Sequence, residues 1–228
     1  MKLKGGSLTI RKIKLFLEAS YNPDPPKEIL GYTLDEKLSG LYGKVYFNNE
    51  LKKVVLVHRG TGSENHGEDW IPNAIFAANS SSYKLTSRYK TGERMVNKAL
   101  KKYKGYQFEN LGHSQAGLLA HLTNSDKIKN VIELNPAYKD ASLANNEYII
   151  RSSGDVVSAL TVPKKMMNDL LYPNWTKDHM RIIPAKTSSA LEEHKIDILD
   201  RLDQDMKIGQ GGAKPNSLKR QLDGYIIN

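Results

Sequence analysis

The sequence predicts an α/β fold, a mainly parallel β-sheet with helices packed on its faces. Three observations carry that prediction. Short apolar runs rich in β-branched residues alternate along the chain with segments of helical period. One of these runs, Lys53-Val54-Val55-Leu56-Val57-His58, shows no polar alternation, as expected of a strand buried on both faces. A third run, Tyr106 to Leu111, passes through Gly112-His113-Ser114-Gln115-Ala116-Gly117 directly into the helix-like Gln115 to Leu122, a strand–turn–helix succession built on small residues.

Thr9 to Ser20 places Ile10, Ile13 and Leu17 on one face of a helix, and Asn22-Pro23-Asp24-Pro25-Pro26 ends it. Leu41 to Phe47 reads as a strand turned by Asn48-Asn49-Glu50 into Lys53–His58, a hairpin. Glu68-Asp69-Trp70 opens a moderately apolar stretch through Phe76. Thr86 to Lys104 is a long helix with an inner stripe of Tyr89, Val96, Ala99 or Leu100, and Tyr103. After the Ser114 turn come three further strands: Val131 to Leu134, Tyr148 to Arg151, and His179 to Ile183. The Gly- and Lys-rich segment from Lys207 reads as a tail, so the expected organisation is one domain over residues 1–206 and a tail over 207–228.

The chain has 228 residues, enough for one good core, with 39% hydrophobic and 26% charged residues. It contains no cysteine, which removes disulfides, thiolate catalysis and cysteine-ligated zinc. No run is long and apolar enough to span a bilayer, and the N-terminus lacks a secretory pattern, so synthesis and folding in the cytoplasm are expected. The formal charge of +9 reads first as lysines on solvated faces and second as attraction to anionic membrane surfaces. Nucleic acid is the least favoured partner, because no zinc finger, RNP motif or helix-turn-helix accompanies the charge. Nothing in the chain calls for a metal or a cofactor.

Ser114 is the candidate nucleophile. A serine hydroxyl attacks only when held on a tight turn, beside a base and facing backbone donors, and small residues at 112 and 116 let that turn close. In a parallel sheet, reactive groups collect at the carboxyl ends of strands. One such end carries Gly154-Asp155, and two histidines follow it, His179 and His194. The order Ser…Asp…His is the one α/β-hydrolases use, with histidine taking the serine proton and the carboxylate fixing its tautomer. His194 is preferred as base, between polar residues at the opening of an apolar helix, with His179 as the rival. His113 leaves the turn in another direction and reads as a packing residue. His121 is too far along the helix, His58 precedes the serine, and His66 lies in a loop. The backbone N–H of Gln115 and the loop Arg59-Gly60-Thr61-Gly62 supply the candidate oxyanion donors.

Together, Val54 to Thr61, Asp69-Trp70, the Ser114 turn, Asn135-Pro136-Ala137, Gly154 to Ser158 and His194 resemble the class 3 (fungal-type) lipase family, in family order across some two thirds of the chain. That resemblance implies an α/β-hydrolase fold and a carboxylic ester hydrolase acting on lipid esters. Ser114, Asp155 and His194 would be the triad, and Thr61 with Gln115 the oxyanion donors. It also implies structural roles for Arg59 and Asp69, and a lid at Trp70 to Ser82. Ala116 departs from the family's second small Gly, and the disulfides and signal peptide of secreted members are missing. The Lys-rich style and the Glu18-Ala19-Ser20-Tyr21 segment look more like lipase-like proteins of large DNA viruses, which implies virion proteins as partners. The rival reading is a catalytically silent fold of the same kind serving as a binding or structural component.

Overall fold

The amphipathic run after Thr9 forms helix α1, Ile10–Tyr21, whose first turn gives its Lys12 N–H to the Thr9 hydroxyl. The computed structural model describes residues 8–61, 80–137, 144–155 and 179–208. Two strands too short to show a period follow the proline-rich break: β1, Glu28–Ile29, and β2, Tyr32–Leu34. They are joined through Leu30 and Gly31, both at positive φ. The expected hairpin is present as β3, Gly43–Asn48, and β4, Lys53–His58, in antiparallel register from Gly43 opposite His58 to Asn48 opposite Lys53. A short helix α2, Ser80–Tyr83, and the long helix α3, Ser87–Lys102, lead to β5, Gln107–His113. Helix α4, Gln115–Leu122, follows the Ser114 turn, and then come β6, Ile128–Leu134, β7, Glu147–Ser152, and β8, Met180–Ile183. The helix α5, Ala190–His194, and a 3₁₀ segment, Ile196–Arg201, complete the described chain.

These strands make one eight-stranded sheet in the order β1 to β8, antiparallel through β4 and parallel from β4 to β8. The uninterrupted apolar run of β4 has a direct explanation. Val55 and Val57 enter a core formed with Ile10, Ile13, Phe16 and Leu17 of α1 and with Ile198 and Leu199. Val54 and Leu56, alternating with them, enter the opposite core with Met95, Val96 and Ala99 of α3 and Ala120 of α4. All four are fully buried, each contributing roughly 1.5–3 kcal/mol of apolar transfer. The sheet is therefore covered on both faces, the arrangement of an α/β-hydrolase fold.

The chain's two described ends meet: Thr9 bridges Lys207, the Ile208 N–H donates to the Leu8 carbonyl, and Ile208 packs against the α1 core. No helix among the described residues is long and apolar enough to cross a membrane. In register, His58 lies beside Gly112, His113 beside Leu134, and Leu134 beside Ile150. The exits of β4, β5, β6 and β7 thus open side by side on one edge, and every residue of the candidate site lies on or beside them.

Candidate active site

The turn from β5 into α4 is as tight as backbone allows. Ser114 has φ 59° and ψ −129°, a region L-residues rarely occupy and one that costs about 1–3 kcal/mol. The surroundings hold it there: Ser114 N–H donates to the Leu134 carbonyl at 3.0 Å, and its own carbonyl accepts from Gly117 and Ala137 N–H. A Cβ on Gly112 would lie 2.1 Å from the Ala116 carbonyl oxygen, so only glycine admits this approach. The side chain after the turn, Gln115, opens α4.

The loop after β4 crosses directly over that turn. A Cβ on Gly60 would meet the Tyr21 hydroxyl at 2.4 Å, the His113 carbonyl at 2.6 Å and Ser114 Cβ at 3.3 Å. Three hydrogen bonds fix the loop: Arg59 N–H to the Tyr42 carbonyl, Arg88 Nη1 to the Arg59 carbonyl at 2.7 Å, and Gly60 N–H to the Tyr21 hydroxyl at 3.1 Å. Thr61 then arrives beside Gln115, its hydroxyl donating to the Gln115 side-chain oxygen at 3.3 Å. The two residues named as oxyanion donors are thus neighbours across 54 positions of sequence.

Asp155, buried at the exit of β7, lies with Oδ1 2.7 Å from Nδ1 of His194. A carboxylate can only accept here, so Nδ1 carries the ring proton and Nε2 keeps its lone pair in the neutral imidazole, the form a general base requires. His194 closes helix α5 rather than opening the helix expected after it; that segment is the 3₁₀ turn Ile196–Arg201. Two consecutive carbonyls anchor it. The Glu193 carbonyl accepts from Asn135 Nδ2 at 3.0 Å, and the His194 carbonyl from His113 Nε2 at 2.8 Å. Asn135, at φ 44°, also takes the Ser152 N–H on its Oδ1, tying the exits of β6 and β7 to the histidine.

His113 is more than the packing residue its position in the turn suggested. Its Nδ1 lies 2.7 Å from the Tyr21 hydroxyl, and its ring centroid is 5.0 Å from that of His194. Burial first, and the neighbouring His194 second, push its pKa down to about 3, so it is neutral at any ordinary pH. Burial also pushes the Tyr21 phenol well above its usual value, keeping it protonated.

The remaining histidines have other work. His58 is buried against Asn110 Oδ1 at 2.9 Å, with its pKa lowered to about 4 by burial. His179, the rival base, gives its Nδ1 to the Glu147 carbonyl and stacks on Tyr148, at the entrance of β7 rather than its exit. His121 pairs with Glu147 at 2.9 Å. With Glu133 these two offer donor atoms within 4.8 Å of one another, while Asn124 and the Ala144 N–H already occupy the Glu147 oxygens. His66, Asp69, residues 70–79 of the expected lid, and Val156 to Ser158 lie outside the described residues.

Sequence reasoning missed four residues of this site's frame. Tyr21 and Asn135 act across long separations; Asn135-Pro136-Ala137 belongs to the resemblance, but no local pattern gives either residue its partners. The other two, Glu193 and Arg201, are an ion pair. The buried Glu193 carboxylate accepts from Arg201 Nη1 at 2.6 Å and Nη2 at 3.1 Å, from the Ser152 hydroxyl, and from the Lys186 and Thr187 N–H groups at 2.9 Å each. Arg201 foremost, then the other donors acting against burial, hold its pKa far below the usual carboxylate range. Because the folded pKa is depressed, the stabilisation is present above the unfolded value of about 4.3 and is lost as pH falls below it. Thermal melts should therefore show Tm falling as pH drops from about 5 to 3, with a shallower fall in Glu193→Gln. An unchanged slope in that variant would remove Glu193 as the cause.

No family model matches the chain, and no curated protein sequence matches it. Solved structures do. The chain is similar to the Lip2 lipase of Yarrowia lipolytica, at 16% identity and a TM-score of 0.44 over 67% of this chain and 73% of that one. It is similar to the Rhizomucor miehei lipase in complex with its propeptide, at 14% identity and a TM-score of 0.45 over 69% and 63% of the two chains. It is also similar to a triacylglycerol lipase of Penicillium expansum, at 15% identity and a TM-score of 0.44 over 66% and 70%.

Proposed function

We propose that this chain is a serine hydrolase of carboxylic esters, of the lipase type, with Ser114 as nucleophile, His194 as base and Asp155 as the carboxylate that orients it. The observation that carries this reading is the Asp155–His194 pair, with His194 Nδ1 2.7 Å from Asp155 Oδ1 and the His194 ring against that of His113, the residue before the strained Ser114. In the first half-reaction His194 Nε2 takes the Ser114 proton as Oγ attacks the ester carbonyl. The developing oxyanion is met by the Gln115 N–H at the start of α4 and by Thr61. Collapse of the tetrahedral intermediate breaks the bond to the alcohol oxygen, which leaves with the proton from His194. Water, deprotonated by the same nitrogen, then releases the acid and restores Ser114. Lipid esters are the proposed substrate class, and the charge of +9 supports working at an anionic lipid surface.

A fluorophosphonate probe tests the proposal directly. It should label Ser114 in the folded protein, located by peptide mass spectrometry, and fail to label heat-unfolded protein. A folded protein that stays unlabelled would favour the silent, structural use of the same fold.

A further inference from the structure

We infer that Tyr21 and His113 are positioning residues that join the Gly60–Thr61 loop to His194 through one directed chain of hydrogen bonds. The inference rests on the roles proposed above for that loop and for His194. The chain runs from Gly60 N–H to the Tyr21 oxygen at 3.1 Å, from the Tyr21 hydroxyl to His113 Nδ1 at 2.7 Å, and from His113 Nε2 to the His194 carbonyl at 2.8 Å.

Its direction is fixed at both ends. A backbone N–H can only donate and a backbone carbonyl can only accept. The His194 carbonyl therefore assigns the proton to His113 Nε2, which leaves Nδ1 as an acceptor and obliges the Tyr21 hydroxyl to donate to it. The Tyr21 oxygen is left to accept from Gly60. Every proton between the oxyanion loop and the base has one place, so the chain has one geometry.

A purely space-filling role would not need this arrangement. Phenylalanine and leucine would fill the same volume without two polar groups to desolvate. The polar pair adds orientation: shifting Gly60 breaks its bond to the Tyr21 hydroxyl, and shifting the His194 main chain breaks the buried bond from His113. The two elements so joined must hold their separation to a fraction of an ångström, because one receives negative charge while the other receives the proton.

The test compares Tyr21→Phe, His113→Gln, His113→Leu and the double variant Tyr21→Phe/His113→Gln with the natural chain. Readouts are kcat and KM on a short-chain p-nitrophenyl ester, the rate of fluorophosphonate labelling, Tm, and ring ¹⁵N spectra of the histidines. Glutamine places an amide N–H where the ring Nε2 was and so keeps the bond to the His194 carbonyl; leucine cannot. The expected result is a loss of about tenfold in kcat for Tyr21→Phe, with KM close to that of the natural chain and Tm lower by a few degrees, because the hydroxyl's two hydrogen bonds are lost. His113→Gln should retain more activity than His113→Leu, and the double variant should fall no further than its worse parent. In the spectra, His113 should show the neutral Nε2–H form throughout, and the His194 signals should move in Tyr21→Phe.

A Tyr21→Phe variant with unchanged kcat and unmoved His194 signals overturns the inference, as do losses that multiply in the double variant. If the natural chain is never labelled while the His194 signals still answer to Tyr21→Phe, the catalytic reading fails and the positioning chain stands.

Discussion

Replacing Ser114 with alanine is expected to lower kcat for ester hydrolysis by roughly 10⁴-fold or more, and to abolish fluorophosphonate labelling, with Tm little changed. The reaction proposed for this site passes through a bond to Ser114 Oγ, so removing that atom removes the path rather than slowing it. The fold should be indifferent: alanine at φ 59° is as strained as serine there, and the turn is held by main-chain bonds to Leu134, Gly117 and Ala137 that the substitution leaves in place. Ser114→Gly sharpens the point. Glycine relieves the φ cost while losing some chain entropy, so this variant should be equally inactive yet more stable by about 1 kcal/mol. Kinetics on a p-nitrophenyl ester and thermal melts of both variants decide the matter. Hydrolysis at the natural rate by Ser114→Ala would end the nucleophile assignment.

The parts of this site that could be read from sequence are those whose cause is local. The β5–α4 turn announces itself because the residues that make it possible, Gly112 and the small Ala116, are within four positions of one another. The burial of β4 on both faces is visible in four consecutive aliphatic residues, and α1 and α3 in their periods. The order of Ser114, Asp155 and His194 was legible only because strand exits in a parallel sheet lie along one edge; the structure then pairs Asp155 with His194 and leaves His179 at the other end of β7. Strands β1 and β2, two and three residues long, have no period to detect. Tyr21 could not be found that way: it closes a helix and meets His113 across 92 positions. Glu193 and Arg201 are eight positions apart, but the link passes through the break between α5 and the 3₁₀ turn, where the sequence reads as a helix opening at His194. Legibility ended where a side chain's purpose is to reach a distant main-chain atom.

Gly112→Ala is expected to be the most destabilising single-methyl change in the chain's centre, costing about 3 kcal/mol or more, a fall in Tm on the order of 10 °C. The added Cβ would lie 2.1 Å from the Ala116 carbonyl oxygen, 2.5 Å from its carbon and 2.7 Å from the Gly117 nitrogen. All three are main-chain atoms, so no rotamer change clears the space. Gly112 cannot retreat either, because it is paired in the sheet between His58 and Glu133. Helix α4 would have to move instead, and its far side is closed: a Cβ on Gly117 would already meet Pro136 at 2.7 Å. Gly40→Ala provides the control, since nothing lies within 4 Å of the added atom there and Tm should not change. A Gly112→Ala protein melting within about 2 °C of the natural chain would mean that α4 yields easily. The positive φ of Ser114 would then be a conformation the turn merely tolerates. A large loss instead makes that φ a consequence of main-chain crowding at residue 112, imposed on Ser114 by the closeness of β5 to α4 whatever side chain stands at position 114.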